Sequence, residues 1–158
     1  MVNELLRVIK EIKIENLIEE DKEELIFVFM ATKNALIRNR IALIFSDITY
    51  NRAVPFLIKK INDSSLLNNN GTLVYALQDL DTSKYFIQII KIICNQDYEA
   101  RLMAFEIIEK EKDKVSTKVQ NQALKILEDC RSFQEKNAKS RGKNSTLHFI
   151  EQTIAILN

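Results

Sequence analysis

The chain has 158 residues, of which 46% are apolar and 28% are charged, a composition typical of a single globular domain. Twenty-three Lys and Arg residues against 22 Asp and Glu residues leave a net charge of +1, which argues against whole-surface attraction to nucleic acid or anionic lipid. No stretch has the length and apolarity of a membrane span, and the charged N-terminus lacks the apolar core of a signal peptide, so we expect a cytoplasmic protein that does not contact membranes.

The pattern of apolar residues predicts an all-α fold. Two glycines and one proline leave little turn chemistry for a sheet, and apolar residues recur at the i, i+3, i+4, i+7 spacing of a helical face. In chain order, this spacing predicts nine helices, at about 3–14, 22–32, 36–48, 52–62, 70–80, 83–94, 98–111, 115–131 and 146–157. Short polar residues that can cap helix starts support these bounds: Asp21, Asn51, Thr82, Asp97 and Asp113.

The apolar pattern also repeats. A shift of 32 residues superposes Ile41 and Phe45 of one first helix on Leu73 and Leu77 of the next, and the second helices align in the same way. Each repeat therefore contains two helices. The predicted units are 3–33, 36–63, 68–94 and 97–131, followed by a basic segment 131–145 and a terminal helix 146–157 that closes the last unit.

Three segments carry a family resemblance. They are RIALIFSDI at 40–48, AVPFLI at 53–58 and ARLMA at 100–104, although Asn70 stands in the third unit where Arg101 stands in the fourth. Over about residues 20–130 the sequence resembles the short bacterial form of HEAT-like repeats. The resemblance implies a right-handed α-solenoid of about four helical hairpins, with first helices on the convex side, second helices lining the concave side and a C-terminal capping helix.

The second helices carry an unusual bias of charge opposite their apolar stripes. Of twelve equivalent positions, six are basic and one is acidic, in a protein that is nearly neutral. These residues either solvate exposed helix faces or form a binding surface in which aromatic anchors lie beside cations. The candidate partner-binding residues are Phe27, Met30, Arg52, Phe56, Lys59, Lys84, Gln88, Lys91, Lys118, Gln122 and Lys125.

Catalytic motifs are absent from the sequence. The single histidine, His148, has no Cys or Asp at triad or metal spacing, and no phosphate-binding or nucleophile motif occurs. We therefore expect a non-enzymatic scaffold or adaptor, without metal or cofactor, that binds a protein partner with acidic groups. Two alternatives stay open: nucleic-acid binding along a basic concavity, which the net charge disfavours, and an enzyme or lyase accessory of the kind found among HEAT-like proteins.

Two further features bear on the organisation of the protein. Cys94 and Cys130 are too few for a disulfide scaffold, so we expect both to be reduced. The segment from Arg131 to Ser145 contains five bases, one acid and few apolar residues, which is typical of a flexible linker or the frayed end of a helix.

Overall fold

The protein forms nine α-helices in residues 2–137 and 142–158, the residues that the computed structural model describes, and no strand occurs there. The predicted all-α class and the number of helices are confirmed over these ranges. None of the described helices is long and apolar enough to cross a membrane. The helices are α1 Val2–Glu11, α2 Glu19–Ala31, α3 Ala35–Asp47, α4 Val54–Ile61, α5 Gly71–Ala76, α6 Phe86–Asn95, α7 Tyr98–Glu111, α8 Thr117–Asn137 and α9 Thr146–Leu157.

The helices contact one another in a regular order. The odd-numbered helices α1, α3, α5, α7 and α9 touch in succession, while α2 touches α4 and α6 touches α8. Each even-numbered helix also packs against the odd-numbered helix that follows it. The apolar stripes meet between these elements in one cluster, in which Phe29, Phe45, Leu57, Leu77 and Ile89 are among the side chains fully removed from solvent.

Buried polar side chains at the starts of the odd-numbered helices tie successive segments together. Arg38 and Arg101 are each the fourth residue of their helix, and both are buried. The Nη2 atom of Arg38 donates to the carbonyl of Asn69, and the Nη2 atom of Arg101 donates to the carbonyl of Asn144. Both distances are 3.0 Å. Both carbonyls lie two residues before the next odd-numbered helix. Asn70, one repeat after Arg38, likewise donates to a backbone carbonyl 3.1 Å away. Each of these side chains satisfies an orphan backbone acceptor.

The helices whose lengths differ most from the prediction are α5 and α8. The basic segment is not a linker over residues 131–137, because α8 continues to Asn137; residues 138–141 lie outside the described ranges. Arg131 pairs with Glu128 at 2.5 Å and with Glu135 at 3.9 Å, and such i, i+3 and i, i+4 pairs support a helix that buries few apolar residues. In contrast, α5 ends at Ala76, because residues 77–79 form turns.

The predicted helix caps are borne out unevenly. Asp97 caps α7 by accepting from the amide of Ala100 at 3.1 Å, as predicted. Asn51 does not cap α4; its side-chain oxygen accepts from the amide of Asp81 at 2.7 Å and so joins the segment before α4 to the segment before α6. The caps of α3 and α9 are Asn34 and Ser145, which the pattern did not single out.

Cys94 and Cys130 form a disulfide that joins α6 to α8, with their Cα atoms 6.1 Å apart. The prediction that both thiols are reduced is therefore wrong. The two cysteines are separated by 36 residues, close to the length of one repeat. Because α8 packs beside α6 one repeat later, residues with this separation reach the same level of neighbouring helices.

Candidate partner-binding surface

Five of the predicted binding residues are exposed lysines on the even-numbered helices or the short turn before α6, and we call them the lysine face: Lys59, Lys84, Lys91, Lys118 and Lys125. None of them lies within 4.0 Å of a carboxylate oxygen of residues 2–137 or 142–158. Lys84 has an acidic neighbour in Asp81, whose pKa is lowered mainly by the hydroxyl of Ser83 and further by this lysine. The lysine face therefore presents ammonium groups that are solvated and not engaged in direct ion pairs with the described residues.

The lysines of α6 and α8 lie on the outer side of the two helices. In α6, Ile89 and Ile93 are buried and Lys91 is exposed; in α8, Leu127 is buried and Lys125 is exposed. The buried faces pack against α7 and α9, so both exposed rows point away from those helices. Between the lysines, Gln88 is half-buried and Gln122 is exposed.

The spacing of these lysines follows from the helix geometry. Lys118 and Lys125 are seven residues apart on α8, which corresponds to about 10 Å along its axis. Lys84 lies seven residues before Lys91, in the short 3-10 turn that precedes α6. Lys91 precedes Cys94 by three residues and Lys125 precedes Cys130 by five, so the disulfide places the two lysines within about 3 Å of the same level. Packed helices lie about 8–10 Å apart. The four positions thus outline a patch about 10 Å on each side.

Arg52 is exposed but bound within the protein. Its Nη1 atom lies 2.8 Å from Glu19 and its Nη2 atom 2.7 Å from Glu23, both on α2. The hydroxyl of Tyr50 donates to Glu19 over 2.8 Å. This hydrogen bond, more than the contacts with Lys22 and Arg52, lowers the pKa of Glu19. Burial, reinforced by Glu19, raises the pKa of Tyr50 to about 12. Arg52 therefore holds α2 against the start of α4 and is not a free cation.

The three apolar candidates differ in exposure. Phe27 on α2 projects into solvent with 74% of its surface exposed, and it lies outside the core cluster. Met30 and Phe56 are half-buried and pack against the core. Phe27 is thus the one predicted anchor whose ring is largely free to contact another molecule.

Two further residues, which the sequence pattern does not single out, border cavities near the candidate residues. Phe133 is 64% exposed on α8, where it lines a cavity of about 310 Å³ together with the disulfide. In the sequence, Phe133 is indicated only by its position three residues after Cys130, a spacing that puts both residues on one face of a helix. Arg38 is a buried cation. In the sequence it is indicated by its position in α3, which matches the position of Arg101 in α7.

The remaining chemistry of the described residues is sparse. His148 is half-buried beside Phe149, with ring centroids 6.1 Å apart. No group of three or more His, Cys, Asp or Glu side chains is arranged to hold a metal ion within residues 2–137 and 142–158. Comparison of the sequence with protein-family models, with curated proteins and with solved structures found no match.

Proposed function

We propose that the protein is a non-catalytic adaptor that binds an acidic protein partner on its lysine face. The observation that carries this proposal is the set of five exposed lysines, on the even-numbered helices and the turn before α6, that form no ion pair with the described residues. Solvated lysines of this kind attract acidic groups over a Debye length of about 8 Å at physiological salt. They therefore raise the association rate and set the orientation of a partner.

We further propose that the helices form a HEAT-like α-solenoid with the lysine face on its concave side. The contacts of odd-numbered helices in succession support this arrangement, as do the contacts of α2 with α4 and of α6 with α8. The arginines at equivalent positions, Arg38 and Arg101, support it too, because both bind the backbone just before the next odd-numbered helix. A stack of this kind is preformed, so binding orders little backbone.

The spacing of the lysines points to the form of the partner. The two lysines of α8 lie about 10 Å apart along the axis, which is the distance between any two residues seven apart on a helix. A partner helix with Glu or Asp at i and i+7 presents its carboxylates at the same interval. We expect Phe27, the exposed aromatic residue of α2, to supply apolar contact at the N-terminal end of the row of even-numbered helices. The carboxylates of α2 lie at the same end.

The test uses the full-length protein with a partner captured from native extract and then purified. Reversal of four lysines, in the variant K84E/K91E/K118E/K125E, should slow association at least tenfold and remove most of its salt dependence. A matched variant carries the same change of charge at exposed positions off the lysine face, namely R7E/K10E/K13E/K143E. It should bind at nearly the wild-type rate. Both variants should stay folded, because each surface substitution changes stability by about 0.5 kcal/mol or less.

Two results would refute the proposal. Equal loss of binding in the two variants would show a nonspecific effect of net charge, and no loss in either would place the binding site elsewhere. A steep fall in affinity for a DNA duplex with rising salt, removed only by the lysine-face variant, would identify a nucleic-acid-binding surface instead.

A further inference from the structure

Arg38 is a buried cation whose surroundings differ from those of its counterpart Arg101. The guanidinium of Arg101 lies 5.7 Å from the ring centroid of Phe149, and Asp97 lies close enough to favour its charge. Arg38 is only 4% exposed, and it pairs with no carboxylate of the described residues. Burial lowers its pKa, and no acidic group opposes that effect. A buried charge without an opposite charge is costly, so the site favours an added anion.

The donors of Arg38 are only partly used. Its Nε atom donates to the side-chain oxygen of Asn39 over 3.0 Å, and its Nη2 atom donates to the carbonyl of Asn69. The remaining Nη1 atom makes no hydrogen bond with residues 2–137 or 142–158 and is not enclosed as a buried orphan. The two N–H groups of Nη1 are therefore available to a ligand.

Arg38 also lines an open cavity of about 530 Å³ beside the turn between α2 and α3, and we call this cavity the Arg38 cleft. Lys33 and Lys60 line the same cleft, whereas Asp63 is its single acidic residue. One carboxylate oxygen of Asp63 already accepts two hydrogen bonds from Ser65, at 2.7 and 2.9 Å. Three cations thus line the cleft with one acid.

Lys60 is engaged by the carbonyl of Met30 and acts on Asp63, which leaves Lys33 and Arg38 as the cations for a ligand. Arg38 also borders a second cavity, in which the acids are Asp97 and Glu99.

The cleft adjoins one residue of the predicted binding set. Met30 lies on its wall and accepts a hydrogen bond from Lys60 at its carbonyl, at a distance of 2.9 Å. Lys59 of the lysine face precedes Lys60 on α4 and projects about 100° away from it. A molecule that binds at Met30 therefore lies beside the Arg38 cleft.

We propose that the Arg38 cleft binds a single carboxylate of the acidic partner, an inference that rests on the proposed function. The Nη1 atom of Arg38 and the ammonium of Lys33 are the donors, and each forms a charge-assisted hydrogen bond. Because the proposed partner is an acidic protein, the anion that reaches the cleft is the carboxylate of a Glu or Asp side chain.

The test titrates the ¹⁵N-labelled full-length protein with N-acetylglutamate amide, which has one carboxylate. The matched probe, N-acetylglutamine amide, has the same shape without the charge. The acidic probe should shift the backbone resonances of residues 30–33 and 63–69 in a saturable way, and the neutral probe should not. Lys33→Glu should weaken binding about tenfold or more, while Lys33→Arg should preserve it. Lys10→Glu, an exposed reversal on α1, should have no effect.

Several outcomes would overturn the inference. They are equal shifts from both probes, binding that Lys33→Glu leaves unchanged, or inorganic phosphate that binds ten times more tightly than the carboxylate. Because Arg38 also supports the backbone at Asn69, Arg38→Gln is informative only if it stays folded, and Lys33 keeps the test independent of it. Probe binding unaffected by Lys33→Glu would refute the cleft alone, whereas partner binding unaffected by reversal of the lysine face would refute the proposed function.

Discussion

Loss of the disulfide between Cys94 and Cys130 should lower the stability of the protein substantially. The bond closes a loop of 36 residues, for which the entropy of loop closure is about 13 cal/mol/K, or about 4 kcal/mol at 25 °C. Unfolding of 158 residues carries an entropy of about 330 cal/mol/K, so reduction should lower the melting temperature by about 12 °C. Most of this effect arises in the unfolded state, because the two half-buried side chains remain packed against the core after reduction.

The distal part of α8 should respond most strongly to reduction. The buried residues of this helix are Ala123 and Leu127, and beyond them the disulfide is its main attachment to α6. Amide hydrogen exchange over residues 130–137 should therefore accelerate more than exchange in α3 or α7 when the bond is reduced.

Calorimetry with and without a phosphine reductant measures the effect on stability. The variant C94A/C130A serves as a control, because it should melt near the reduced wild type and should not respond to the reductant. Oxidised and reduced proteins that melt within about 3 °C of each other would refute the entropic argument. Titration of two free thiols in the native protein, without reductant, would show that the cysteines are not joined.

Three further predictions test individual contacts. Replacement of Arg101 by Ala should cost about 3 kcal/mol in urea denaturation, because the buried carbonyl of Gln96 and the carbonyl of Asn144 lose a charged donor; a cost below about 1 kcal/mol would contradict this role. The raised pKa of Tyr50 favours its neutral form in the folded state, so its contribution is present below about pH 10 and is lost as the pH rises to about 12. Tyr50→Phe should therefore flatten the fall in the urea midpoint between pH 9 and 12, and an unchanged fall would refute the assignment. Phe27→Ser should change the free energy of unfolding by about 0.5 kcal/mol or less, since the ring lies outside the core, and a larger loss in chemical denaturation would show that the ring is packed.

The helices and their buried faces were accessible from the sequence, because they depend on local spacing. An apolar residue every three or four positions places Leu57 and Ile89 on one face wherever the helix later packs. Helix ends were less accessible, because pairs of charged side chains can extend a helix beyond its last buried apolar residue. The end of α8 illustrates this point: ion pairs of Arg131 sustain the helix in a segment whose composition is typical of a linker.

The candidate surface was accessible in part. The exposure of the five lysines followed from their place opposite the apolar stripes, which is again a local property. The ion pairs of Arg52 could not be predicted from the sequence, because its two carboxylate partners lie on α2, about thirty residues earlier in the chain. The pattern of one helix shows which of its cations are exposed, but it does not show which of them pair with carboxylates of another helix.

The disulfide and the Arg38 cleft depend on long-range packing. Cys94 and Cys130 pair because α8 lies beside α6 in one register, and a slip of one helical turn, about 5 Å, would part them. Arg38 lies beside Lys33 and Lys60 in one cleft because α3 is packed between the end of α2 and the turn after α4. Spacing along the sequence determines which side chains share a face of each helix. The distances between helices depend instead on how all the buried side chains pack together.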